Sequence, residues 1–157
     1  MAKKKALIAV VIVITLFIVI NLGWFVWRHI SYTGYTEDLS RNAFYTFMVP
    51  NYAGKDGDGF EYSVKFPDWL SFTGNLAVGY PGTDENPFTD GLIIWPKVFG
   101  GYEYGVIINT EDEGGYMFYI DRDGNAVDAE YKKIAEDYGG VISELLSRAE
   151  NFWGELK

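Results

Sequence analysis

Apolar and polar positions alternate in three different ways along the chain, and each way predicts a different element. Residues 6–27, ALIAVVIVITLFIVINLGWFVW, hold 22 positions without a charge. A helix of that length spans roughly 33 Å at about 1.5 Å per residue, which matches the roughly 30 Å hydrocarbon core of a bilayer. A soluble helix keeps a polar face, and this one has none. Thr15, Asn21 and Gly23 are the only departures from large or aliphatic apolar residues, and a helix satisfies their backbone groups internally, as lipid requires.

The second regime has period two. Phe60, Tyr62, Val64 and Phe66 alternate with Glu61, Ser63 and Lys65, which is the pattern of a strand with one wet face. After the Pro67-Asp68 turn, Phe72, Gly74, Leu76, Val78 and Tyr80 alternate in the same way. Residues 92–95, 102–108 and 116–120 are further apolar runs separated by Gly-rich or acidic turns, and they read as a meander of antiparallel strands. Residues 43–49, AFYTFMV, fit either helical spacing with Thr36 as N-cap or a β-rich run ended by Pro50, with strand favoured. Residues 51–59, NYAGKDGDG, read as a loop by composition, and residues 80–90 as a longer one.

The third regime starts at Asp128, a plausible N-cap. Tyr131, Ile134, Tyr138, Val141, Leu145, Ala149 and Phe152 step by three or four positions, a single apolar helical stripe. Glu144 and Arg148 form a favourable i,i+4 pair. Gly139 and Gly140 cost about 1 kcal/mol each against alanine, so a bend or break is expected there. The sum is an α+β domain: an antiparallel sheet of about five or six strands with a C-terminal helix packed on it, behind one N-terminal transmembrane helix.

Charge orients the first segment. Lys3, Lys4 and Lys5 precede it, whereas only Arg28 follows closely before Glu37 and Asp38, so the positive-inside bias places the N-terminus in the cytoplasm. Trp24 and Trp27 then lie at the outer interface. A cleaved signal peptide has an apolar core of about 7 to 15 residues and an A-x-A-like site. This run is longer and exits through Gly-Trp-Phe-Val-Trp-Arg-His, so it reads as an uncleaved signal anchor. The expected organisation is a cytoplasmic N-terminus at 1–5, the anchor at 6–28, a stalk at 29–40 and an extracytoplasmic domain at 41–157.

Of the 13 basic residues, 9 lie beyond the anchor and its flank, against all 22 acids, a formal charge of −13. Such a surface repels phosphate backbones, which argues against a nucleic-acid partner. With no cysteine, the domain is held by core burial alone.

Candidate chemistry is sparse. The single histidine, His29, stands at the membrane edge, so the outer domain has neither histidine nor cysteine to act as base, nucleophile or zinc ligand. A carboxylate pair acting on a sugar is the enzymatic alternative. Asp121-x-Asp123-x-Asn125 matches the first ligand positions of an EF-hand loop, but Ala126 replaces the required Gly and Lys132 the closing Glu. Asp56-x-Asp58 fails sooner, at Phe60. Both read as tight turns, and no metal site or cofactor is expected. What remains is aromatic content, 28 rings counting 5 Trp, 12 Tyr and 11 Phe. These rings either fill the core of a cysteine-free domain or form a surface patch. The patch is centred on Trp95, Tyr102, Tyr104 and Tyr119, because alternate residues on both faces of the later strands are apolar and one helix shields only one face. The functional expectation is a non-catalytic binding or accessory module of the cell envelope, with the bilayer as one partner and an envelope protein as another. A carbohydrate-binding or carboxylate-dependent glycan-cleaving module is the alternative.

Overall fold

The computed structural model describes the chain except for residues 1, 42–49, 83–88, 111–113, 155 and 157. It divides into two compact units, Met1–Gly34 and Tyr35–Lys157.

The first unit is one helix, α1 (Ala2–Thr33), of 32 residues. It is long and apolar enough to cross a membrane. Its few polar side chains bond back to the helix itself: Thr15 Oγ1 donates to the Val11 carbonyl at 2.9 Å and Asn21 Nδ2 to the Phe17 carbonyl at 2.8 Å. An i−4 bond of this kind removes the cost of carrying a hydroxyl or amide into hydrocarbon. At its end the guanidinium of Arg28 lies 4.6 Å from the Trp24 ring centre, a cation–π contact suited to the headgroup level. The helix extends past the apolar run to Thr33, followed by a 3₁₀ turn, Gly34–Thr36.

The second unit is a seven-stranded antiparallel meander in which each strand pairs with the next: β1 (Ser40–Arg41), β2 (Asn51–Lys55), β3 (Glu61–Lys65), β4 (Asn75–Gly79), β5 (Gly91–Pro96), β6 (Tyr102–Thr110) and β7 (Gly114–Ile120). The α+β class stands, and the strand count of five or six is corrected to seven. The two alternating runs and the three further apolar runs are all strands. The additional ones are β1 and β2, and β2 falls in the stretch whose composition reads as loop. Asn-Tyr-Ala-Gly-Lys carries little apolar signal, because β2 forms a strand through its ladder with β3, in which Gly54 stands opposite Tyr62. The approach is close there: a Cβ on Gly54 would lie 3.0 Å from Leu39 Cδ2, so a larger residue would make that side chain shift. The strand expected over residues 43–49 lies outside the described residues.

Register puts Tyr62, Val64, Leu76, Val78, Leu92, Ile94, Tyr104, Val106, Ile108, Phe118 and Ile120 on one face, and all are buried. The helical stripe covers this face. Its helix is interrupted, as the paired glycines lead one to expect, but one residue earlier than they stand. A 3₁₀ turn (Ala129–Tyr131) and α2 (Lys132–Asp137) end at Tyr138, and α3 (Gly139–Trp153) follows. Asp128 precedes the 3₁₀ turn without a side-chain capping bond. Ile142, Leu145 and Ala149 of α3 are buried, and Phe152 stacks on Tyr62 at 4.1 Å between ring centres.

Leu145 has no exposed surface, so Leu145→Ala removes contacts that the sheet cannot replace. The expected cost is roughly 2 to 5 kcal/mol of stability, read as a lowered thermal midpoint by circular dichroism of the full chain in detergent, with no loss of α1 helicity.

Candidate functional site

The four aromatic positions singled out in the sequence come from two faces of the sheet. Trp95 pairs with Glu103, and Tyr119 with Gly105, so both project on the face away from α3. Trp95 lies across Gly105, where a Cβ would come within 2.8 Å of its ring, and its centre is 5.7 Å from that of Tyr119 at an interplanar angle of 49°. Tyr119 is half exposed, at 49 %.

Tyr102 and Tyr104 project to the α3 face, with ring centres 6.3 Å apart and planes tilted by 44°. Tyr104 is buried, and its hydroxyl donates to the Leu156 carbonyl at 3.2 Å. Burial pushes the Tyr104 phenol above its ordinary pKa. The Tyr102 hydroxyl meets the Tyr35 hydroxyl at 2.9 Å. Three of the four nevertheless border one space: a cleft of about 580 Å³, where β6 begins and β7 ends, lined by Tyr102, Tyr104 and Tyr119 together with Glu103 and Arg122. Trp95 touches it only through Tyr119.

A second cluster was not legible in the sequence. Arg148 of α3 holds Asp58 Oδ2 at 2.7 Å, Asp56 Oδ2 at 3.2 Å and Glu144 Oε1 at 3.3 Å, and its guanidinium covers the Phe60 ring at 4.1 Å. The Tyr62 hydroxyl donates to Asp56 and the Tyr80 hydroxyl to Glu144, each at 2.9 Å. Burial, aided by these carboxylate partners, pushes both phenols up to about 12. Burial also works to raise the Asp56 carboxyl. Hydrogen bonds from Tyr62 and from the amides of Phe60 and Asp58, with the Arg148 charge, outweigh it and hold Asp56 below the usual carboxylate range. Only the Glu144–Arg148 pair could be read from spacing; Asp56 lies 92 positions from Arg148.

The two calcium-like stretches turn out to be the same turn built twice. In residues 56–60 and 121–125 the Asp amide donates to the carbonyl four positions on, the fourth residue's amide donates back to the Asp carbonyl, and that fourth residue is a glycine with φ of 88° or 87°. The Asp Oδ1 accepts from the amides two and four positions on, at 2.9 to 3.0 Å in both turns. This is a type I turn closed by a left-handed glycine, and Asp at its start supplies the side-chain bonds that such a turn favours. The Oδ1 atoms of Asp56 and Asp121 are therefore occupied by their own loops, and Asp56 Oδ2 by Tyr62 and Arg148. Asn125 Nδ2 also donates to Asp121, which, with the backbone donors, keeps that carboxyl low.

Compared with known proteins, the chain matches no family model, no curated protein and no solved structure.

The Asp56 cluster makes a pH prediction. A carboxyl depressed in the folded state contributes stability that is present above its unfolded value, near 3.8, and is lost as pH falls through the lower folded value. Asp56→Asn should therefore lower the thermal midpoint at pH 7 and flatten its decline below about pH 4, measured by circular dichroism across an acid titration. A mutant decline as steep as the parent's would show that Asp56 is not held by this network.

Proposed function

We propose that the chain is a single-pass membrane protein with its N-terminus in the cytoplasm and residues 41–157 outside, serving as a non-catalytic binding or accessory module of the cell envelope. The observation that carries the reading is α1: a helix long and apolar enough to cross a membrane, with three lysines in its first turns ahead of the apolar run and a domain of strong negative charge after it. Residues 29–40 act as the connection between the two. The binding reading draws on the cleft at Tyr102, Tyr104 and Tyr119, where aromatic edges stand beside a carboxylate and a guanidinium, the mixture that recognises protein segments.

Carbohydrate binding, or carboxylate-dependent cleavage of a glycan, is the second reading, favoured by the same rings beside Glu103 and Asp121. Ring planes tilted by 44° and 49° give no flat platform among these four residues. The hydroxyls of Tyr102 and Tyr104 are also engaged within the fold. Both features weigh toward a protein partner.

Protease added to intact cells should remove the domain and spare the anchor; a domain that survives until lysis would overturn the orientation. For the cleft, Tyr119→Glu should leave melting within about 0.5 kcal/mol of the parent, as surface substitutions do, while lowering crosslinked partner capture on intact cells. Tyr104→Glu should instead cost roughly 3 kcal/mol or more, because it buries a charge where a neutral hydroxyl is held. Unchanged capture by Tyr119→Glu would remove the cleft from the binding reading.

A further inference from the structure

The two edges of the sheet are built differently. At one, β1 is two residues long, Ser40 and Arg41; shortness and a charge are ordinary ways in which an edge is kept from pairing with another chain. At the other, β7 runs for seven residues, Gly-Gly-Tyr-Met-Phe-Tyr-Ile, with no charge and no proline. One side of β7 pairs with β6. On the other side the chain returns only to its last residues: Ala126 bridges Ile120, and the Val127 amide donates to the Tyr119 carbonyl at 2.9 Å. Among the described residues, no strand pairs with residues 114–118 on that side.

The Val127 bond fixes which way the backbone of β7 points. In an antiparallel ladder the N–H and C=O of one residue lie on the same side of the strand, and successive residues alternate. The Tyr119 carbonyl faces outward, so the backbone groups of Met117 and Gly115 face outward too, while those of the even-numbered residues face β6. The Gly114 carbonyl agrees, since it accepts from Thr110 Oγ1 of β6 at 3.0 Å. Gly115 and Met117 thus present two donors and two acceptors in the spacing that a further strand requires. On the face away from α3, Met117 is 53 % exposed and Tyr119 half exposed, which gives the side chains of an added strand apolar neighbours. On the α3 face Phe118 is already covered by Tyr131, with ring centres 5.1 Å apart.

Charge selects the occupant. The residues beyond the anchor carry a formal −13, so a second copy of the chain meets like charge on approach, whereas a cationic segment is drawn in. Arg122, just past the end of β7, is paired with Glu150 at 3.4 Å. We propose that the outer edge of β7 receives an extended, lysine- or arginine-bearing segment of a partner protein as an added strand of the sheet, held by backbone hydrogen bonds at Gly115 and Met117. The proposal rests on the reading of the domain as a binding module, but not on the cleft or on the anchoring of α1.

The test follows amide hydrogen exchange by NMR in the isotopically labelled full chain in detergent. The probe is a synthetic peptide of alternating valine and threonine with two lysines at each end, compared with the same peptide bearing glutamates in place of the lysines. The lysine peptide should slow exchange at Gly115 and Met117 at least about tenfold, with little change at Phe118 and Ile120, whose amides already lie in the ladder. The glutamate peptide should leave exchange unchanged. Met117→Pro removes one outward donor without touching the β6 ladder; it should abolish the protection at Gly115, with the thermal midpoint as folding control. Should that variant fail to fold, the alternating pattern in the parent decides alone. Equal slowing by both peptides overturns the cationic partner. Slowing without peptide that grows with protein concentration assigns the edge to a second copy and also overturns it. No slowing at millimolar lysine peptide, with partner capture still lost in Tyr119→Glu, overturns the edge and leaves the binding module standing. No slowing and unchanged capture overturn both.

Discussion

Everything in the second unit depends on one constraint: a meander without disulfides must bury one continuous sheet face, and α3 is the element laid over it. The fully buried side chains of β3 to β6 lie in cross-strand rows, and Ile142, Leu145 and Ala149 meet them from the helix. Burying each such side chain contributes on the order of 1.5 to 3 kcal/mol against backbone ordering costs of similar size. The sheet and helix are consequently stable only together. A four-stranded version lacking the helix would expose the row that its own pairing creates.

Apolar burial sets no angle between helix and sheet, and polar contacts along α3 and at its C-terminal end supply one. Arg148 reaches the turn between β2 and β3, Glu144 is bonded by Tyr80 after β4, and Trp153 Nε1 donates to the Tyr35 carbonyl at 3.1 Å. The Arg148 cluster is only partly shielded, so its Coulomb energy is modest. Its effect is directional: a planar guanidinium satisfied by three carboxylates and stacked on Phe60 tolerates little rotation of the helix. The same logic ties down the entry of the chain, where Tyr35 is held by Trp153 through its carbonyl and by Tyr102 through its hydroxyl.

What the sequence made legible follows from how local each signal is. The uncharged run, the two alternating runs, the three apolar runs and the three-or-four stepped stripe depend on residues near one another, and each became the expected element. The break near Gly139 was legible for the same reason. β2 was not, because Asn51–Lys55 becomes a strand through its partner rather than its own composition. The aromatic patch was half legible. Alternation within β6 places Tyr102 and Tyr104 on one face, but only the registers of β5 and β7 reveal that Trp95 and Tyr119 belong to the other. The Arg148 cluster joins residues 92 positions apart and carries no local signal beyond the Glu144 pair.

The repeated turn separates what the fold demands from what it merely permits. Three connections, at residues 56–60, 97–101 and 121–125, share one backbone, so the residues common to them, above all the left-handed glycine, belong to the geometry. Asp at the first position in two of them adds bonds within the loop, which accounts for their likeness to cation sites without assigning them a cation. The residues that differ are free of that demand. At residues 98 and 99 this freedom has been filled with a valine and a fully exposed phenylalanine. A hairpin tip in water gains nothing from a phenylalanine, and the exposed ring raises the risk of aggregation.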